Sequence, residues 1–327
     1  MSVVGVTLGG MKRDMPSALV ALQQGVFSRR QASEAGLTLQ MIDARLRSGK
    51  WRRVFRGVYT NAAGDIGRPG MLWAAVLSAG RYAVLSHQTA AELVLGGRPD
   101  DEIHLTIPAN HKVEAAPGVR VHRSRRAFTI ELADCYPPCT SVEETVLDLV
   151  DAAGTFDEMC GWITRALTTK RTTAVKLCTA MSERQRLRWR SVAGDMITAT
   201  ITGDHSVLEH RYERDVERAH GLPEPERQVP FTTPDGSRGR RDRVYPTYRV
   251  VVELDGQLYH PAEEIWKDKD RDNAAIEAGY ESLRYGWRHV TQDSCATAVQ
   301  VGRVLRDRGW PGQPHPCSVR CLVRQRS

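Results

Sequence analysis

Three carboxylates fall within fourteen residues of one another: Asp242, Glu253 and Asp255, in Arg240-Arg-Asp242-Arg-Val-Tyr245 and Tyr248-Arg-Val-Val-Val-Glu253-Leu-Asp255-Gly256. Glu253 and Asp255 are two apart, so on a strand both side chains leave the same face. Residues 248–254 form a β-branched apolar run of the kind that makes a buried central strand, and Pro246-Thr247 turns the chain, so a hairpin brings Asp242 alongside. Carboxylates gathered in this way oppose one another's ionisation unless a cation neutralises them. Mg²⁺ or Mn²⁺ suits an all-oxygen, incomplete shell, and such an ion activates water and stabilises charge on a phosphodiester being cut. Gly256 lets the chain leave the strand without a side chain in the way, and His260 is placed for general acid/base work or phosphate binding. The alternative is a salt-bridge network of Asp242 and Glu253 with Arg240, Arg241 or Arg249.

The elements that must hold these residues lie in a chain of 327 residues, long for one core, and two or three domains are expected. The formal charge of +7 favours a polyanionic partner, although an Arg-rich composition alone also accounts for it. No apolar run is long enough to span a bilayer and the N-terminus lacks a signal-peptide pattern, so a cytoplasmic location and no membrane partner are expected.

Toward the N-terminus, a short apolar helix over 17–24 ends at Gly25, Ser28 can cap a second over 29–35, and Thr38 can cap a third. In the third, Leu39, Ile42 and Leu46 share one face, with Gln40, Asp43, Arg45 and Arg47 off it. Trp51-Arg-Arg-Val-Phe-Arg-Gly-Val-Tyr59 then reads as a hairpin turning near Gly57. Three short helices and a basic hairpin describe a winged helix-turn-helix over 1–60. As a DNA reader, it would place Gln40, Arg45 and Arg47 in the major groove and carry Lys50, Arg52, Arg53 and Arg56 to phosphates. A protein-docking module or a solvated basic face is the other reading.

Residues 61–203 read as a middle α/β region: helices over 71–79 and 86–95, strands over 102–107 and 119–122, a helix capped by Ser141, then Arg-rich helical sequence. His87, His104, His111 and His122 are scattered through it and read as structural residues. A proline-rich connector, Leu222-Pro-Glu-Pro-Glu-Arg-Gln-Val-Pro230, follows the helix over 206–219 and leads into the carboxylate-bearing strands. That last region spans 204–310, with a tail at 311–327. Cys135/Cys139 and Cys317/Cys321 share one spacing, and four such thiolates would suit zinc. Structural zinc pairs usually sit closer in sequence, so free thiols are expected and a disulfide framework is not.

Asp242, Val-Val-Glu253-Leu-Asp255-Gly256, His260, Lys267-Asp-Lys-Asp270-Arg271-Asp272-Asn273 and Gly279-Tyr-Glu-Ser-Leu283-Arg284-Tyr-Gly-Trp287 together resemble the DUF559 group. That group is similar to the very-short-patch repair endonucleases of the PD-(D/E)XK superfamily. The resemblance covers about 206–306 and implies a mixed central sheet flanked by helices, as in restriction endonucleases. It implies that Asp242 and Glu253 bind metal, that Glu209 on the entry helix adds an acid, and that Arg284 faces the site while Trp287 packs, both on the following strand. Asp255 stands where the superfamily has its Lys, and Arg243 stands where the group has an apolar residue, either as a phosphate ligand or as the mark of a lapsed site. Phe27-Ser-Arg-Arg-Gln-Ala32, the 51–59 hairpin and Leu85-Ser-His87-Gln-Thr-Ala-Ala91 resemble the AbiEi type of antitoxin. Two functions are therefore expected of a mixed α+β chain. One is a metal-dependent DNA endonuclease targeted by a winged helix, with RNA open as substrate. The other is an antitoxin-like transcription regulator of a type IV toxin–antitoxin system, with a cognate toxin and a non-catalytic nuclease-like domain.

Overall fold

The computed structural model describes residues 14–126, 135–202, 206–232, 236, 238–256 and 278–325. The fold is mixed α/β with three small sheets. It divides into two compact units, one ending at Asp148 and the next beginning at Leu149, where the sequence pointed to breaks near 60, 203 and 310. Among the described residues no helix is long and apolar enough to cross a membrane.

The first unit opens with α1 (Ser17–Leu22), β1 (Val26–Ser28), α2 (Arg29–Glu34), α3 (Leu39–Arg47), β2 (Arg52–Phe55) and β3 (Val58–Thr60). The expected caps form. Ser28 accepts from the Gln31 N–H while the Gln31 side chain bonds back to Ser28 N, and Thr38 accepts from Met41 N. Gly57 turns the wing with φ +75°, a left-handed conformation that a residue with a Cβ adopts only at a cost. β1 pairs antiparallel with β3 and completes a three-stranded sheet in the order β1-β3-β2, a strand the hairpin reading did not contain. The core is an aromatic trio, with Phe27 4.6 Å from Trp51 and Tyr59 6.1 Å from Trp51, set on Ala32, Leu37 and Ile42. Leu39, expected on the buried face, is 64% exposed, because Met41 and Ile42 fill the space beneath α3.

The rest of this unit packs α4 (Gly67–Ala79) and α5 (His87–Val94) with a second sheet of β4 (Val84–Leu85), β5 (Ile103–Pro108) and β6 (Val119–Ser124). β5 and β6 run parallel and β4 pairs antiparallel with β5. α6 (Val142–Ala152) follows, with Ser141 accepting from Glu144 N as expected of its cap. Cys135 and Cys139 are joined in a disulfide, which corrects the free-thiol reading of that pair.

In the second unit, α7 (Phe156–Thr168), α8 (Ala174–Ser182) and α9 (Arg190–Thr202) precede α10 (Ser206–Tyr212), which continues as a π-helical stretch, Glu213–Arg218. The sheet runs β10-β9-β8-β7, from β7 (Glu226–Thr232), β8 (Arg238–Tyr245), β9 (Val250–Asp255) and β10 (Glu281–Gly286). β9 is central and its valines are fully buried, as their branching foretold. β9 pairs parallel with β10 and antiparallel with β8, so the sheet is mixed. α11 (Trp287–Thr291) and α12 (Ser294–Asp307) follow, with α12 packed on the π-helical stretch.

Candidate functional site

β8 and β9 place the acids. Tyr245 pairs with Val250 and Arg243 with Val252, and carrying that register one step further sets Asp242 opposite Glu253. Asp242 thus sits inside an eight-residue strand. Leu254 N donates to Asp242 Oδ2 at 2.7 Å, and the Glu253 carboxylate accepts from the Asp242 backbone N–H. Glu209 arrives from α10. Gln228, which was not foreseen, bridges the two acids: its Nε2 lies 2.8 Å from Glu209 Oε1 and 3.1 Å from Asp242 Oδ1. Gln228 holds φ +51°, a backbone cost of about 1–3 kcal/mol for a residue with a Cβ, at the β7 position that faces Asp242. No local spacing marks Gln228 in the sequence; only the fold brings it between carboxylates.

Burial, then the neighbouring Asp242 charge, pushes Glu253 up to about 7. Burial also raises Asp242, against the opposing Leu254 N–H bond. Asp255 leaves the strand on the same face, about 7 Å further along at the usual rise, and lines a cleft of about 420 Å³ with Arg284, Trp287 and His289. Arg284 is paired in register with Glu253 and its charge favours the ionised form of that acid. Trp287 is buried and donates Nε1–H to Gly256 O at 2.9 Å, so it packs as expected, but it opens α11 instead of lying on β10. His260, Arg271 and Asp272 lie outside the described residues.

Arg243 alternates to the opposite face of β8 from Asp242. Its side chain is 2% exposed and its guanidinium meets Glu209 at 2.8 Å and Glu217 at 3.6 Å. That burial corrects the phosphate-ligand reading: Arg243 anchors two acids from beneath the sheet. Burial pushes Glu217 up while Arg243 and the Tyr245 hydroxyl oppose it. Arg241 is also buried, with its guanidinium 4.6 Å from the Phe231 ring.

The winged helix forms a second candidate surface. On α3, Gln40, Asp43 and Arg47 are exposed, whereas Arg45 is half-buried with its guanidinium 5.2 Å from the Trp51 ring. On the wing, Lys50, Arg53 and Arg56 are exposed, with Arg56 3.4 Å from the equally exposed Glu114. Arg52 is exposed too, but its guanidinium donates to the carbonyls of Gly64 and, at 3.2 Å, Ala62. It braces the loop after β3.

Three of the four histidines scattered in sequence are neighbours in the fold. α5, β5 and β6 bring His87, His104 and His122 together. His104 Nδ1 is 3.1 Å from His122 Nε2, and the His87 and His122 rings stack at 3.7 Å. Burial lowers His104, and burial with the His104 charge lowers His122 to about 4. The sequence could not show this, because each histidine comes from a different element.

Three short helices, a β-wing and an exposed third helix define the winged-helix class of docking domain. Between Met15 and Ala62 stand eight basic and two acidic residues, so this domain alone carries a charge of +6 against +7 for the whole chain. Residues 15–62 match the family described as "Transcriptional regulator, AbiEi antitoxin". The crystal structure of the RV2827C protein from Mycobacterium tuberculosis is similar over 60% of this chain and 79% of that one, at 15% identity and a TM-score of 0.34. No curated protein matches the chain.

Proposed function

We propose that the chain is a DNA-binding transcription regulator of the antitoxin kind, acting beside a cognate toxin. One coincidence carries this reading: the residues that match the antitoxin regulator family are those that fold as the winged helix and hold nearly all of the net charge. In this reading, Gln40 and Arg47 reach base edges, and Lys50, Arg53 and Arg56 take phosphates, which adds affinity but little sequence information. Footprinting on the DNA upstream of the chain's own gene tests it. A protected site whose affinity falls steeply with salt supports regulation. Failure to bind that DNA at low salt, or binding indifferent to salt, refutes it.

A second reading, phosphodiester hydrolysis, is favoured by one observation: Asp242 and Glu253 stand opposite one another on β8 and β9, and the amide N–H₂ group of Gln228 bridges Asp242 to Glu209. The Gln228 amide and, for Glu209, the Arg243 guanidinium already bring positive charge to these carboxylates. Asp242 and Glu253 offer the oxygen ligands that Mg²⁺ or Mn²⁺ takes and would hold the ion, which when bound supplies Lewis acidity and an acidified water. Asp255 and Arg284 border the adjoining cleft, where Arg284 can orient a phosphate. Incubation of plasmid with either ion tests this reading against Asp242→Ala and Glu253→Ala. Nicking lost in both variants supports hydrolysis, and DNA left intact by the unaltered protein removes it.

A further inference from the structure

The tail beyond α12 crosses the second unit without strand or helix from 311 to 321, mostly exposed, yet it is held to its neighbours at a few points. A Cβ added at Gly302 of α12 would run into Pro314, and His315 N donates to His220 O at 2.7 Å. Cys321 is 1% exposed. No ladder of backbone bonds explains how this segment stays in place.

Four side chains meet at that junction. His220 is the last helical residue after the π-helical stretch, Cys295 comes from the first turn of α12, and Cys317 and Cys321 from the tail. Their ligand atoms all lie within 4.8 Å of one another, and the sulfurs of Cys295 and Cys317 are 3.6 Å apart. A tetrahedral site with Zn–S of about 2.3 Å and Zn–N of about 2.0 Å separates its ligand atoms by about 3.5–3.8 Å. The imidazole is already set for this task. His220 is fully buried, its Nδ1 bonds Val216 O at 3.1 Å, and its Nε2 is buried without a hydrogen-bond partner. With Nδ1–H donated to a carbonyl, the Nε2 lone pair is the one left for a metal, the usual outer support of a ligating histidine. A buried orphan acceptor is costly, and a metal bond removes that cost.

We propose that His220, Cys295, Cys317 and Cys321 form a structural Zn²⁺ site that clamps the C-terminal tail to α12 and to the end of the π-helical stretch. Four protein ligands close the shell, as in structural rather than catalytic zinc sites, and the soft thiolates select zinc over Mg²⁺ or Ca²⁺. Loading releases three thiol protons to solvent, and three thiolates with one dication leave the site with a net charge of −1. The sequence pairing of Cys135/Cys139 with Cys317/Cys321 missed this set, because two ligands come from distant positions and the first pair is oxidised.

The test uses the full chain, expressed in zinc-supplemented medium, purified without chelator and assayed by elemental analysis. One zinc per chain is expected. Cys317→Ser, at an exposed position where folding is least at risk, should lose it, while Cys178→Ser, outside the cluster, should keep it. Cobalt exchanged into the site should show sulfur-to-metal charge transfer and the intense visible bands of tetrahedral Co²⁺. Removal of the metal should speed proteolysis within 311–316 and lower the unfolding midpoint by several degrees. Three results would overturn the proposal: a folded protein with well under stoichiometric zinc, equal zinc in the parent and Cys317→Ser, or a Cys295–Cys317 disulfide in protein prepared without oxidant.

Discussion

Replacing Glu253 with Gln keeps the shape of the side chain and its acceptor for the Asp242 N–H, but removes its ability to ionise. Burial first, and the Asp242 charge second, raise this carboxyl from its ordinary 4.5 to about 7. The folded chain therefore holds a proton between those values that the unfolded chain has released. Stability falls as pH rises through that window, because the native state binds more protons there. At about 1.4 kcal/mol for each pH unit, the penalty is about 3 kcal/mol by pH 8. Glu253→Gln escapes it. Parent and variant should melt together near pH 4.5 and separate as pH rises, with the variant higher by about 6–12 °C at pH 8 for a unit of this size. Parallel thermal melts at constant ionic strength from pH 4.5 to 8.5 give the difference directly, since titrating groups other than the coupled Asp242 cancel. A gap that does not change with pH, or one that widens on acidification, refutes the reasoning. Millimolar Mn²⁺ adds a second arm. If the acids take a cation, the parent rises toward the variant at pH 8; an unmoved parent counts against the hydrolytic reading alone.

Arg243→Met should destabilise the second unit by about 3–5 kcal/mol in urea, since Glu209 and Glu217 lose their buried partner; a loss under about 1 kcal/mol would show that the pairs contribute little. Arg53→Ala should lower the slope of log affinity against log salt by about one, whereas Arg52→Ala should leave the slope unchanged, because its guanidinium serves the carbonyls of Ala62 and Gly64; equal slopes for both variants would contradict this. For His122, held near 4 by burial and His104, stability is complete above the unfolded value of about 6.5 and is lost as pH falls toward 4. His122→Asn should flatten that acid limb in thermal melts, and an unchanged limb would rule out this source.

What the sequence made legible was local. Ser28, Thr38 and Ser141 cap helices because a hydroxyl three residues before a free N–H is a short-range fact. The valines of β9 announce a buried strand, and the spacing of Glu253 and Asp255 announces one face. Pairings across long stretches were not legible. Gln228 between Glu209 and Asp242, three histidines from three elements, and a histidine with three distant cysteines are products of the fold, with no period to betray them. Arg243 shows the limit most clearly. Its neighbour in sequence is an acid of the cluster, but strand alternation sends it beneath the sheet, so adjacency misled and parity decided.

The π-helical stretch has a further consequence, for insertions and deletions. Four residues of α-helix overshoot a full turn by about 40°, so Glu209 and Glu213 drift around the axis. The wider turn of Glu213–Arg218 makes the next four fall short, which brings Glu217 back into line beneath Arg243. The same correction sets the azimuth of His220. Deleting one residue here would restore an ordinary helix and leave the azimuth of His220 relative to Glu209 nearly unchanged, whereas a deletion in a purely α-helical stretch would swing it by about 100°. The wide turn thereby absorbs a surplus residue without changing the phase between the acids and the cysteine junction, so this is the place in the helix where a chain can gain or lose one residue and keep both.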